Sequence, residues 1–315
     1  MNMTPLLRRN GVVLAVAALV LLLPLVLPSN FYFRIATLTF IFALAVLGLN
    51  LVMGYAGQVS LGHGGFFGIG AYAVAVGPVH FGIPGWAALP LGAAIAGLLA
   101  FIIGRPILKL KGHYLAVATL GMGILIAMVF TNEAQYTGGP DGMSVPRLVL
   151  FGWAARGPIT WYWISGITLI LAAWLAMNLI ESPTGRAFRA IHDSEPASGV
   201  LGIDIARYKL TAFVLSAVYA SVAGAFLALY DGGVTPRTAD FLRSIEFVTM
   251  AVLGGLGSVI GSIAGAAFLT ILPQVLTVFH DYEHIVLGLL IILCMIFLRE
   301  GIVPALANRI FRRQK

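Results

Sequence analysis

A chain of 315 residues that is 60% hydrophobic and only 10% charged carries more apolar side chain than a water-soluble domain can bury. That excludes a soluble globular protein and predicts an all-α polytopic integral membrane protein, with 1–315 as a single transmembrane domain. The formal net charge of +7 does not indicate nucleic acid, because the Lys and Arg residues lie in short polar interruptions and near the ends.

In chain order, apolar runs predict spans near 11–28, 35–53, 66–80, 86–104, 114–131, 159–180, 208–230, 244–257, 258–279 and 284–298. The basis is that about 20 apolar residues cross a hydrocarbon core about 30 Å thick. The first run follows Arg8 and Arg9, but its length and the missing small-x-small cleavage site favour a retained span over a secretory signal. Two runs are short, 66–80 and 244–257, and the second is expected to cross only part way, so the expectation is about 8–10 helices. With the amino terminus inside, fourteen Lys and Arg residues fall on the side of Arg186 and Arg189 and five on the other. This bias places both termini and the loop at about 181–209 in the cytoplasm.

Between the second and third spans, Asn50 to Tyr72 carries seven glycines together with Asn50, Gln58, Ser60 and His63. A continuous helix tolerates glycine poorly, at about 1 kcal/mol each relative to alanine. Irregular backbone at membrane depth survives only where protein or a water-filled cavity satisfies it. Asn50, Gln58, Ser60, His63, Gly64 and Gly65 are therefore candidates for a substrate path, and close helix packing through small residues is the competing account. His63 either touches substrate or donates to a carbonyl. The outer loop from about Asn132 to Pro158 contains Gly138-Gly139-Pro140 and Asp141-Gly142, turn chemistry that predicts an ordered loop.

Glu181 to Lys209 is the longest run of mixed charge. Ser182 before Pro183 predicts a capped helix from about Thr184 to Asp193, with Arg186, Arg189, Ala190 and Asp193 on one face and Ala187, Phe188 and Ile191 on the other. Asp193 and Ser194 can cap a second short turn opened by Pro196. This reads either as an element built to dock or as a solvated connector. A second glycine-rich interruption follows at Gly254, Gly255, Gly257 and Ser258, with Gly261, Ser262 and Gly265 behind it. Paired interruptions in two halves point to a substrate path, with packing again the alternative. Cys294 is alone in the last apolar run and reads as a small buried hydrophobe.

Three groups of residues resemble the branched-chain amino acid permease family of ATP-driven importers. They are Asn50-Leu51, Gly54, Gly57, Ser60, Gly62-His63, Phe66 and Gly70-Ala71-Tyr72; then Glu181, Pro183, Gly185-Arg186-Ala187, Ala190-Ile191, Asp193, Glu195, Ala197, Gly202 and Asp204; then Gly254-Gly255-x-Gly257-Ser258-x-x-Gly261. Pro196, Ser198 and Ser262 depart from the family pattern. The resemblance implies an importer permease of the bacterial inner membrane, with glycine-rich broken helices. Its cytoplasmic loop would couple to an ATPase through Glu181, Gly185, Arg186, Arg189, Asp193, Glu195, Gly202 and Asp204. The implied partners are a second homologous permease, two ATP-binding subunits and a periplasmic substrate-binding protein, besides membrane lipid.

No HExxH, CxxC, Walker-type or GxSxG constellation is present, so no catalytic residue, metal site or bound cofactor is expected and ATP is left to partner subunits. An ion-coupled secondary amino-acid transporter is the alternative class. Such carriers place carboxylates inside the membrane, whereas here Glu246 is the one candidate within a span and lies three residues from Arg243, where a surface pair is the cheaper account. Leucine, isoleucine and valine head the implied substrates, with urea or amides as alternatives. A zwitterion gains little from the membrane potential, so its concentration requires ATP or an ion gradient.

Overall fold

The computed structural model describes residues 5–150 and 152–276, together with 288–289, 292, 296 and 301–305. Helix α1 (Pro5–Leu22) runs into a 3-10 turn, and α2 (Asn30–Asn50) is prolonged by a π turn at Leu51–Tyr55. After an irregular stretch come α3 (His63–Phe81), α4 (Gly85–Ile107), α5 (His113–Asn132) and the single turn α6 (Ala134–Thr137). The second half consists of α7 (Pro158–Glu181), α8 (Pro183–Asp193), α9 (Glu195–Val200), α10 (Ile205–Asp231), α11 (Phe241–Gly254) and α12 (Val259–Leu276). Among the described residues seven helices are long and apolar enough to cross a membrane, α2 with its π turn, α3, α4, α5, α7, α10 and α12. The predicted span 284–298 falls almost wholly outside the described residues.

The centre of the bundle is α2, α3 and α10, whose most apolar 18-residue stretches are 83%, 67% and 72% buried. Lipid supplies no hydrophobic drive between helices, so close approach must come from small residues and van der Waals contact. A Cβ on Gly70 of α3 would run into the Ser221 carbonyl of α10, and one on Gly224 of α10 would strike the Phe67 carbonyl of α3. The helix ends follow local chemistry: Pro158 opens α7, and Gly232 at φ 73° terminates α10 in the left-handed conformation.

The short run predicted at 244–257 is α11, whose 14 residues span only about 21 Å at 1.5 Å per residue. It turns at Gly255, with φ 115°, and Gly257, with φ 74°. Then α12 returns antiparallel to it, with Gly265 against the Met250 carbonyl and Gly254 against the Gly261 carbonyl. Val275 near the end of α12 shares a crevice with Leu27 and Phe31 at the start of α2. The run at 244–257 is therefore the short helix α11, too short to cross alone, whereas its hairpin partner α12 in the run at 258–279 is long and apolar enough to cross and extends from beside Asn50 to the start of α2.

At the hairpin's open end lies the ordered loop predicted after Asn132. Gly138 and Gly142 take φ of 77° and 73° around a 3-10 turn at Gly139–Asp141. Strand β1 (Met143–Ser144) pairs antiparallel with β4 (Gly233–Val234), and β2 (Val149–Leu150) with β3 (Trp153–Ala154). The surface pair foreseen for Glu246 is present, with Arg243 Nη1 at 2.7 Å. At the opposite end lie α8, α9 and the turn after α4.

Candidate functional site

The two glycine-rich interruptions meet at Asn50, which is fully buried. Its Nδ2 donates to the Ser258 carbonyl at 2.9 Å and to Ser262 Oγ at 2.7 Å, and its Oδ1 accepts from the Gly257 N–H at 2.8 Å. The turn at 254–258 breaks helical hydrogen bonding, and this one carboxamide satisfies backbone that the turn leaves open. Gly54, one turn beyond on the π segment, has no room for a side chain, because a Cβ there would meet Asn50 Oδ1 and the Gly257 nitrogen. Gly255 is closed from its other side by Gly301.

The irregular backbone is shorter than the glycine run that signalled it, since it covers only 56–62. Gly64 and Gly65 lie inside the regular helix α3. Gly64 is pressed on α11, with its N–H donating to Ser244 Oγ at 2.9 Å, and a Cβ on Gly65 would lie 3.1 Å from Gly123 Cα of α5. Their glycines serve close helix contact. His63 is also accounted for structurally: Nε2 lies 2.9 Å from the Ala45 carbonyl, which can only accept, so Nδ1 is left to accept from Ser216 Oγ at 3.2 Å.

Gln58 differs from all of these. It is 2% exposed, yet neither its Nε2 nor its Oε1 has a hydrogen-bond partner among the described residues. Ser60, two residues on, is equally enclosed at 3%.

The loop after α7 folds as its sequence indicates. Ser182 Oγ accepts from the Thr184 and Gly185 N–H groups at 3.2 and 3.4 Å, capping α8. Ala187, Phe188 and Ile191 are buried, while Arg186, Arg189 and Asp193 are exposed. Ser194 caps α9 despite Pro196 and Ser198. Several of the coupling candidates hold the loop together. Gly185 packs on the Ile180 carbonyl, Gly202 supplies a positive φ of 79°, and Asp204 Oδ1 caps α10 through the Arg207 N–H at 3.1 Å. Glu195 is ion-paired with Lys209, whose side chain is buried. Glu181 is half-buried at the junction of α7 and α8.

Residues outside the sequence signatures complete the arrangement. His192, on α8, sets Nδ1 3.0 Å from the Gly54 carbonyl, and a Cβ on Gly57, at φ 67°, would lie 3.2 Å from His192 Cα. Val200 and Leu201 project 89% and 78% exposed at the tip of α9. A charged face on α8 is thus joined through His192 to the π turn, and the π turn through Asn50 and Gly54 to the hairpin. The one signal for this in sequence was His192 within an otherwise amphipathic helix, and nothing in spacing placed its partner 138 positions away.

A bundle of apolar helices interrupted at two glycine-rich breaks, with a capped, charged helix touching one of them, defines a polytopic permease component. The chain belongs to the family described as branched-chain amino acid transport system / permease component, which matches residues 31–295. The high-affinity branched-chain amino acid transport system permease protein LivM of Salmonella typhimurium is 34% identical over 294 residues, which cover 86% of this chain and 69% of the relative. LivM of Escherichia coli K12 is 35% identical over the same shares. The permease protein LivH of the same strain is 27% identical over 86% of this chain and 93% of its own length. No solved structure matches the chain.

Proposed function

We propose that this chain is the translocating subunit of an ATP-driven importer for branched-chain amino acids, leucine, isoleucine and valine, with the substrate read from the names of LivM and LivH. The observation that carries a path through the first break is Gln58. An unpaired buried amide costs about 1–3 kcal/mol, a cost that is repaid when the carboxamide meets a polar partner in another state of the cycle. The ammonium or carboxylate of an amino acid is such a partner.

Two ATP-binding partner subunits hydrolyse ATP and dock on α8 and α9 through Arg186, Arg189, Asp193 and the apolar tip at Val200 and Leu201. Displacement of α8 then reaches the Gly54 carbonyl through His192 and the hairpin turn through Asn50. A second permease packs on α5, the least buried of the spans, with 28% of its most apolar stretch covered. The loop end with the β1–β4 pair receives a periplasmic substrate-binding protein. The fourteen-to-five charge division supports a cytoplasmic α8 end, and cytoplasmic termini, in a bacterial inner membrane.

The test is uptake of labelled leucine by the complex reconstituted with its ATPases and binding protein. ATP-dependent uptake, competed by isoleucine and valine and lowered at least tenfold in Gln58→Ala at normal complex yield, is the expected result. Uptake driven by a proton or sodium gradient without ATP would make the chain a secondary carrier, and competition by urea alone would move the substrate. Normal uptake in Gln58→Ala would remove that side chain from the path.

A further inference from the structure

At the α8–α9 end, a cleft of about 890 Å³ opens between the last turn of α4, the turn after it and the first turn of α10. Arg105, Lys109, Lys111 and Arg207 stand around it, all exposed, and none is ion-paired among the described residues. Of the two acids at its edge, one is charge-paired and the other serves as a helix cap that keeps its charge. Glu195 holds Lys209, and Asp204 Oδ1 caps the start of α10. Four cations without an ion pair therefore face one cleft against the single carboxylate of Asp204, and the cleft stays strongly cationic.

The cleft is not an end-facing surface like that of α8. Its wall includes Phe101, and the Arg105 guanidinium lies 4.2 Å from the centroid of that ring. Leu98, Phe101 and Ile102 continue up the outside of α4 at 60%, 39% and 57% exposure, into the depth where α4 meets hydrocarbon. A cationic cleft continuous with an exposed apolar strip matches a molecule with an anionic head and acyl chains. Basic pockets between helix ends are the form such recognition takes at a membrane surface.

We propose that this cleft is a binding site for an anionic phospholipid, its headgroup phosphate held by Arg105, Lys109, Lys111 and Arg207 and its acyl chains lying along Leu98, Phe101 and Ile102. The lipid bridges the end of α4 to the start of α10, beside the Glu195–Lys209 pair that anchors α9. This inference rests on the chain spanning a membrane and not on the identity of the transported solute, so it stands or falls separately from the uptake experiment.

The test is native mass spectrometry of the purified chain in detergent, titrated with phosphatidylglycerol or phosphatidylcholine. Phosphatidylglycerol should bind at least tenfold more tightly. Each cation near an anionic group contributes about fivefold, so the triple variant Arg105→Gln, Lys109→Gln and Arg207→Gln should bind it on the order of 100-fold more weakly. A charge-retaining Arg105→Lys, Arg207→Lys variant should keep the preference, as should Arg34→Gln with Arg147→Gln and Arg156→Gln at the opposite end, provided both elute as monodisperse protein. Equal affinity for the two lipids, or a preference unchanged in the cleft variant, would overturn the proposal. Displacement of the lipid by millimolar inorganic phosphate would assign the cleft to a soluble anion, and displacement by the ATPase subunits would assign it to that protein.

Discussion

Asn50 and Gln58 carry the same carboxamide group eight positions apart and in opposite states. Asn50 uses both donor and acceptor functions on the hairpin turn, whereas Gln58 uses neither among the described residues. Substitution should separate them by sign. Asn50→Leu keeps the branched side-chain shape but leaves the part-buried Gly257 N–H without its acceptor, at about 1–3 kcal/mol, and should lower the thermal unfolding midpoint of the purified chain. Gln58→Met removes an amide that has nothing to bond and should leave that midpoint unchanged or raise it. If Gln58→Met were as damaging as Asn50→Leu, the carboxamide would have a partner in the resting state, and the argument that it awaits one would fail. The sequence pointed to both residues as polar groups in a glycine-rich run, but not to their difference. Asn50 owes its satisfaction to a turn 207 positions away, and no local pattern encodes that distance.

The charged loop was the most legible element because its information is local. Ser182 and Pro183 start α8, the spacing of Ala187, Phe188 and Ile191 sets its buried face, and Ser194 starts α9. What spacing could not reveal is which charges face outward. Glu195 turns inward to Lys209 because α9 folds back along the first turns of α10, and Asp204 is consumed as a cap. Arg186 and Arg189 make no ion pair among the described residues, so the two sets should fail differently. Arg186→Glu with Arg189→Glu should abolish co-purification of the ATPase while the chain keeps its yield and unfolding midpoint. Glu195→Gln removes the charge of the partly exposed carboxylate that pairs with the Lys209 ammonium, at about 1–3 kcal/mol, and should lower the midpoint itself. Retention of the ATPase by the double Arg variant would return the loop to the role of a connector. The glycine breaks were less legible than the loop. Glycine relieves crowding inside a helix and bends backbone between helices alike, and only the neighbours of Gly64 and Gly57 tell the two uses apart.

Across the whole molecule, burial falls outward from α2 at 83%, through α7 and α12 at 44% and α4 at 39%, to α5 at 28%. An exposed apolar helix suits lipid and a partner helix equally, so hydropathy alone does not choose between them. Glycine does. Gly121 lies within α5 with nothing near the position its Cβ would take, and it borders an apolar groove of about 600 Å³ shared with Leu125 and the α4 residues Ile95 and Leu99. A helical glycine costs about 1 kcal/mol relative to alanine. Fluid acyl chains give no return on that cost, whereas a neighbouring helix that must approach closely does. The exposed face of α7, with Leu171 and Leu175 at 55% and 53% exposure, carries no such glycine, since Gly166 is buried against Val20 and Phe40. A cysteine at Leu125, itself 66% exposed, should therefore cross-link to the second permease through a short thiol reagent in the assembled transporter, while one at Leu171 should not. Gly121→Leu should reduce recovery of the two permeases together without lowering membrane insertion of this chain. Cross-linking at Leu171 but not at Leu125 would put the seam on α7 and leave α5 to the lipid.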